Sequence, residues 1–262
     1  MLHHLPKLHL VTQLTRREIA ARYRGSSLGW LWTILPPLFT LAVYTWVFSE
    51  VFKARWGSAP EGDKTTFALN VFIAMLFLNF FSECVSRAPN LMLANANYIK
   101  KVVFPLPVLP VVSVFVAGFN WLIGLAIWVA CEAWVHQHLA PQLLLLPLLF
   151  IPLALLTLGL CWALAAFGVY LRDVGPVVQL LLTLLTFLSP VFYQLSSLKP
   201  WMQQVLYWNP LTVPIEFARG WLLGGTTPDL AYLGGFWLLS LVVAWLGLQV
   251  FRLLRKGFAD VL

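Results

Sequence analysis

The spacing of its charges constrains this chain more than any other feature. Six stretches of about 18 residues or more run from one charged residue to the next: 25–49, 65–82, 102–131, 133–171, 174–198 and 230–251. A charge at the centre of a bilayer costs roughly 2.5–3.5 kcal/mol or more, so gaps of this size suit a chain that lives in lipid. At about 1.5 Å per residue, each stretch reaches across a hydrocarbon core about 30 Å thick. Only helices and closed barrels satisfy their own backbone there, and the alternation of a barrel strand is absent. The predicted fold is all-α integral membrane. Composition agrees, since charged residues make up 10% of the chain against about 25% in a soluble domain.

Six transmembrane helices are expected, at 30–52, 65–84, 108–131, 143–170, 174–194 and 230–251. The fourth stretch opens with His136, His138, Pro141 and Gln142, which read as loop, so its span begins at 143. Pro147 and Pro152 predict a kink in its first third. Six spans place both termini on one side. That side holds Lys7, Arg16, Arg17, Arg22, Arg24, Arg87, Lys100, Lys101, Arg172, Arg252, Arg255 and Lys256, against Lys53, Arg55, Lys64, Lys199 and Arg219 opposite. Positive loops stay inside, so both termini are predicted cytoplasmic in a multi-pass protein. The net charge of +7 is spent on membrane-proximal loops, and no nucleic-acid partner is expected. Residues 1–24 are too polar for a signal-peptide core, and no internal repeat is found, so 1–262 reads as one domain.

Catalytic signatures are missing. There is no GxxxxGK[ST] phosphate loop, no HExxH, no GxSxG and no DxD-type acidic pair. Cys84, Cys131 and Cys161 stand singly in apolar runs, which supports neither a disulfide framework nor a thiolate metal site. No acid or base sits at mid-depth of a span, where ion-coupled carriers need one. A passive gate worked by a partner fits this pattern.

Four connecting segments stand out. Before the first span, "LTRREIAARYRGSSLGWLW" places Arg16, Arg17, Arg22 and Arg24 beside a stripe of Leu10, Leu14 and Ala21, with Val11 next to it. That suits an amphipathic helix lying partly in the membrane surface and partly against a protein; ordinary positive-inside charge would look the same. Its Gly25 and Gly29 form a GxxxG spacing. Next, in the connection from Glu83 to Lys101, residues 90–97, with Asn90, Asn95 and Asn97, make a short helix-competent piece that is too short to span and too apolar for a free loop. It should dock into a partner or lie alone on the membrane surface; Tyr98 and Lys100 follow it, then Pro105, Pro107 and Pro110. The third segment is the tight turn "VYLRDVGP", with Arg172 and Asp173 free to meet a partner or to cap helix ends. The fourth, 199–225, carries Trp201, Tyr207, Trp208 and Trp221 and is interrupted by Pro210 and Pro214. Two short helices dipping into the outer leaflet fit it, with Glu216 and Arg219 able to pair; an aromatic belt is the plainer alternative.

Taken in order, "RYRGSSLGWLW", "YIKKVVFPLPVLP", "VYLRDVGP", "LSPVFY" and "WNPLTVPIEFARGWLLGG" resemble the transmembrane subunit of ABC-2 type polysaccharide exporters, closest in look to O-antigen permeases, over nearly the whole chain. The resemblance implies a homodimer of six-helix subunits in the bacterial inner membrane with two copies of a separate ABC ATPase subunit. It implies no cofactor in this chain, ATP and Mg being bound by the partner, and a lipid-linked polysaccharide substrate passing between the copies. Carried onto this sequence, residues 1–29 become the interface helix and 87–101 the coupling helix, so that Arg16, Arg17, Arg22, Asn90, Asn95, Asn97, Tyr98 and Lys100 meet the ATPase, with Arg172 and Asp173 as a smaller contact. Residues 199–225 become the outer re-entrant pair. Trp32, Phe39, Tyr44, Phe187, Phe192, Tyr193, Trp201, Tyr207, Trp208 and Trp221 become candidates to line the path, where aromatic faces accept the C–H edges of sugar rings.

The loop at 53–66 and residues 1–10 depart from that pattern. A capsule or teichoic acid exporter, or an ABC-2 drug or lipid exporter, remains an alternative. A membrane-embedded glycosyl- or acyltransferase would need grouped acids and histidines, whereas His136 and His138 beside Glu132 stand alone in what reads as a short outer loop.

Overall fold

The computed structural model describes residues 5–23, 29, 31–47, 64–99, 104–137, 140–224 and 227–261, and most of these are helical, with no strand among them. The helices are α1 (Leu5–Tyr23), α2 (Leu31–Trp46), α3 (Lys64–Ala94), α4 (Ala96–Ile99), α5 (Val108–His136), α6 (Leu146–Tyr170), α7 (Val174–Leu188), α8 (Pro200–Leu206), α9 (Thr212–Leu223), α10 (Leu230–Leu254) and α11 (Phe258–Val261). By length and composition, the stretches Thr65–Ala94, Val108–His136, Pro141–Tyr170 and Leu230–Gly257 can cross a membrane; Leu31–Val43 and Val174–Leu188 are apolar but shorter.

α3 is the axis of the bundle. Its apolar residues are buried around most of its circumference, under α2, α5, α6, α7 and α9. Such a helix cannot be an amphipathic surface element. α10 is its opposite: it packs chiefly on α6 and exposes Leu238, Leu241 and Trp245. In lipid, helices gain little from hiding apolar surface, so close approach and internal hydrogen bonds must hold them together. Both devices occur between α6 and α10. A Cβ on Gly247 would lie 2.0 Å from the Gly159 carbonyl oxygen, so two backbones touch where only glycine fits. Nearby, Pro152 has no N–H to give the Leu148 carbonyl one turn back, and the Trp237 indole N–H donates to that oxygen at 3.0 Å. Hydroxyls inside helices fold back on their own chain, as Thr157 does to the Leu153 carbonyl and Ser240 to that of Phe236, each at 2.7 Å.

Several boundaries differ from those the sequence suggests. The break expected between a span at 65–84 and a separate helix at 87–101 does not occur, because α3 runs on to Ala94 with Pro89 inside it, and only Ala96–Ile99 forms a short further helix. Charge-free runs mark what fits in lipid, and a helix can continue beyond that run. The Pro89 position is held from outside, since a Cβ on Gly168 of α6 would lie 2.0 Å from the Pro89 carbonyl oxygen. α5 likewise continues past 131 to His136, so Glu132 and His136 share its last turn instead of standing in a loop; His138 lies outside the described residues. α7 stops at Leu188, short of 194, because Pro190 cannot continue the ladder; the Ser189 hydroxyl turns back to the Leu185 carbonyl at 2.6 Å. A 3-10 turn at Pro141–Leu145 precedes α6. The expected close contact through Gly25 and Gly29 cannot be followed, as Gly25 is outside the described residues; Gly29 itself adopts φ 48° with nothing near its Cβ position.

Candidate functional site

One end of the bundle gathers most of the residues expected to meet a partner. α1 lies against the first turns of α5, with Leu10, Val11, Leu14 and Ile19 on Val108, Val112 and Val116. Ala21, expected on that stripe, is exposed. The opposite face of α1 presents Arg16 and Arg17. Arg17 donates to the Tyr98 hydroxyl at 2.8 Å, and Tyr98 stacks on Phe104 with ring centroids 4.4 Å apart. Two segments remote in sequence thus form a single surface. Glu18 and Arg87 approach to 3.6 Å across the same junction, though both are largely exposed and such a pair contributes little.

The Arg172–Asp173 turn reaches this surface too. It is exposed between α6 and α7, and a Cβ on Gly175 would stand 3.8 Å from the Asn90 side-chain nitrogen. Asp173 sits at the N-cap of α7 without a side-chain capping bond, so the capping alternative for it is not what this structure has. Asn90 and Asn97 are exposed, while Asn95 is half-buried and donates to the Leu91 carbonyl at 2.9 Å, which closes the turn between α3 and α4. Lys100 lies outside the described residues. Beneath the surface, Met92, Leu109, Val169, Phe251 and Phe258 make a compact core, and the Tyr170 hydroxyl donates to the Leu254 carbonyl at 2.7 Å. The ends of α3, α5, α6 and α10 are therefore fixed to each other.

Arg22 does something the sequence did not suggest. It pairs with Glu83 of α3 at 2.5 Å, and both Glu83 oxygens also accept from the Asn120 amide of α5, at 3.2 and 3.0 Å. Glu83 reads in the sequence as the charge that closes a span, and Asn120 as a single polar residue within one. Helical spacing connects neither to the other, because they lie on different helices.

At the far end, 199–225 does form two short helices, α8 and α9. α9 begins at Thr212, before Pro214, because a proline in the first turn costs no hydrogen bond. Asn209 ties the segment down: its Oδ1 accepts from the Leu211 N–H at 2.9 Å and its amide donates to the Ser189 hydroxyl at 3.0 Å, joining the α8–α9 turn to the end of α7. The pair expected from spacing, Glu216 and Arg219, is present at 3.2 Å. Arg219 is a clamp as well. Buried at 4% exposure, it donates to the carbonyls of Asn70 at 3.1 Å, Val191 at 2.7 Å and Pro190, binding α9 to α3 and to the chain leaving α7. Burial draws its guanidinium down to about 10, with Glu216 pulling the other way, so it stays charged at neutral pH. Burial pushes the Glu216 carboxyl up and Arg219 opposes it. On the same side, His136 Nδ1 meets Glu132 Oε1 at 2.9 Å, with Thr66 at 3.4 Å from the other ring nitrogen.

The aromatic candidates divide into two sets. Trp32, Phe39, Phe187, Trp201 and Trp208 are exposed on the bundle. Tyr207 instead stacks on Tyr232 of α10 at 4.1 Å, Trp221 sits edge-on to Phe217 at 5.5 Å, and the Tyr193 hydroxyl donates to the Leu188 carbonyl at 3.1 Å. Phe192 is half-buried against the core, and the side chain of Tyr44 is outside the description.

Residues 9–223 match the protein family described as ABC-2 type transporter. The chain is similar to the O-antigen export system permease protein RfbA of Myxococcus xanthus, 29% identical over 96% of this chain and 94% of that one. It is also similar to RfbA of Klebsiella pneumoniae, at 23% over 97% and 95%, and to the polysialic acid transport protein KpsM of Escherichia coli, at 26% over 92% of each.

Proposed function

The chain belongs to the ABC-2 type transporter family, and on that premise we propose that it is the permease subunit of an ATP-driven exporter carrying a lipid-linked O-antigen across the bacterial inner membrane. Full-length similarity to O-antigen permeases, stronger than that to the capsule transporter, carries the choice of substrate. ATP and Mg bind to two partner ATPase subunits, and this chain contributes no catalytic group. In this reading α2 and α7 also cross the membrane, making six spans with both termini cytoplasmic, and two copies assemble with the polymer passing between them.

The arrangement of α1, α3, α4 and the Arg172–Asp173 turn supports the rest. Arg17 bonded to Tyr98, and Asn90 next to Gly175, make one continuous polar face from three separate segments. We assign that face, with Arg16, Asn95, Asn97, Arg172 and Asp173, to ATPase docking, and Lys100, outside the described residues, to the same partner. Arg22 is turned instead toward Glu83. The exposed apolar faces of α2 and α7 supply the walls of the path, with Trp32, Phe39 and Phe187 on them, and α8 and α9 dip into the outer leaflet with Trp201 and Trp208 at its mouth.

Deleting the gene should abolish surface O-antigen and leave the lipid-linked polymer inside the cell. Polymer reaching the surface at the wild-type level would overturn the reading; loss of a capsule with O-antigen intact would reassign the substrate. Tyr98→Ala with Asn90→Ala should lose the co-purified ATPase at unchanged permease yield, and retained ATPase would refute the docking face.

A further inference from the structure

Between α2, α3 and α5 lies a cleft of about 380 Å³, within the roughly 300–1,000 Å³ usual for small-ligand sites. Glu83 and Asn120 line it from the end where Arg22 closes on them, and Asn79 stands exposed one turn from Glu83 along α3. The other walls are apolar, with Trp32 and Phe72 among them. Two further wall residues carry polar atoms without a partner: the Thr33 hydroxyl and the Trp121 indole N–H, in residues 8% and 5% exposed. Trp121 is otherwise fixed, stacked on Phe150 at 4.2 Å. A buried donor left unmade costs stability unless some state of the protein gives it an acceptor, and both orphans belong to the lining of one cleft.

The charges narrow what could sit there. Among the described residues, Arg22 and Glu83 are the ionised side chains lining the cleft, and they are bonded to each other, so these residues offer no excess cation for a phosphate or diphosphate. An acyl chain would take water from the exposed Asn79 amide and leave the Thr33 hydroxyl and the Trp121 indole N–H unpartnered. A neutral ring bearing several hydroxyls fits both halves. Its hydroxyls can donate to carboxylate and amide oxygens and accept from amide and indole N–H groups, while its C–H face lies on Trp32 or Phe72. We propose that this cleft binds one neutral sugar residue of the transported chain within each protomer, as a holding site beside the path between copies. This inference rests on the exporter reading given above.

The test uses the whole transporter purified with its ATPase in nanodiscs. The probe is the delipidated repeat-unit oligosaccharide of the host's own surface polysaccharide, with inorganic pyrophosphate and a short-chain phospholipid as competitors. Asn79→Ala and Trp121→Phe, which keep the helix and the ring stack, should each weaken oligosaccharide binding by about three- to tenfold, as expected for one lost hydrogen bond. Both should slow export in cells while ATPase activity and thermal stability hold. Wild-type binding in both variants, or full displacement of the sugar by pyrophosphate or phospholipid, would overturn the proposal. If the variants bind normally and the wild type still exports, the holding site fails and the exporter stands. If deletion of the gene leaves export intact, the exporter reading fails and this inference with it.

Discussion

Arg219→Met removes the clamp between α9 and α3 with little change in volume. Four partners lose their donor: the carbonyls of Asn70, Val191 and Pro190, and the Glu216 carboxylate at 3.2 Å. The guanidinium side chain is 5% exposed and that of Glu216 16%, so water does not replace what is lost. Removing one partner of a buried pair strands the other charge and costs roughly 3–5 kcal/mol. Arg219→Lys should fall between, because a single ammonium keeps the charge but lacks the planar fork that reaches α3 and the 190–191 turn together. Glu216→Gln added to Arg219→Met removes the stranded carboxylate, so part of the loss should return, with coupling between the two sites of about 0.5–3 kcal/mol. Unfolding of the purified protein in a detergent–SDS titration, followed by tryptophan fluorescence, measures each step. If Arg219→Met stays within about 0.5 kcal/mol of the wild type, the clamp contributes nothing and the reasoning fails. If the double variant is no better than the single, the stranded-charge account is wrong.

Two other predictions concern the α6–α10 seam. Gly247→Ala puts a methyl group 2.0 Å from the Gly159 carbonyl and should destabilise by about 1–3 kcal/mol or more, seen as loss of the monodisperse peak in size-exclusion chromatography, while Gly234→Ala and Gly235→Ala, with open space around them, should behave as wild type. Trp237→Phe should cost about 0.5–1.5 kcal/mol by stranding the Leu148 carbonyl; in a Pro152→Ala background, where residue 152 supplies its own N–H, the same change should cost less, which a double-mutant cycle in the SDS titration will show.

Sequence reading captured what depends on transfer to lipid and missed what depends on contact. Charge-free runs located the apolar helices because the cost of a buried charge is set residue by residue. They could not say that α3 continues through Pro89 to Ala94, since the support for that turn comes from Gly168 on another helix. The early end of α7 was legible in Ser189-Pro190, but the absence of charge up to residue 198 concealed it. Glu216 and Arg219 were visible as a pair because a helix brings positions three apart together. The Arg219 bond to Asn70 crosses 149 residues, and the Glu83–Asn120 contact 37, distances over which periodicity carries no information. Local charge singles out Arg17, and the family resemblance alone singles out Tyr98; that they hold each other is a property of the fold.

The unbroken α3 is gripped by Arg219 at Asn70 and packed under Gly168 at Pro89. Those points are about 30 Å apart along its axis, nearly the thickness of the hydrocarbon layer. Because no hinge separates them, α3 can act as a connecting rod: a displacement at its Pro89 end would reach the Asn70 end without a relay of side chains in between.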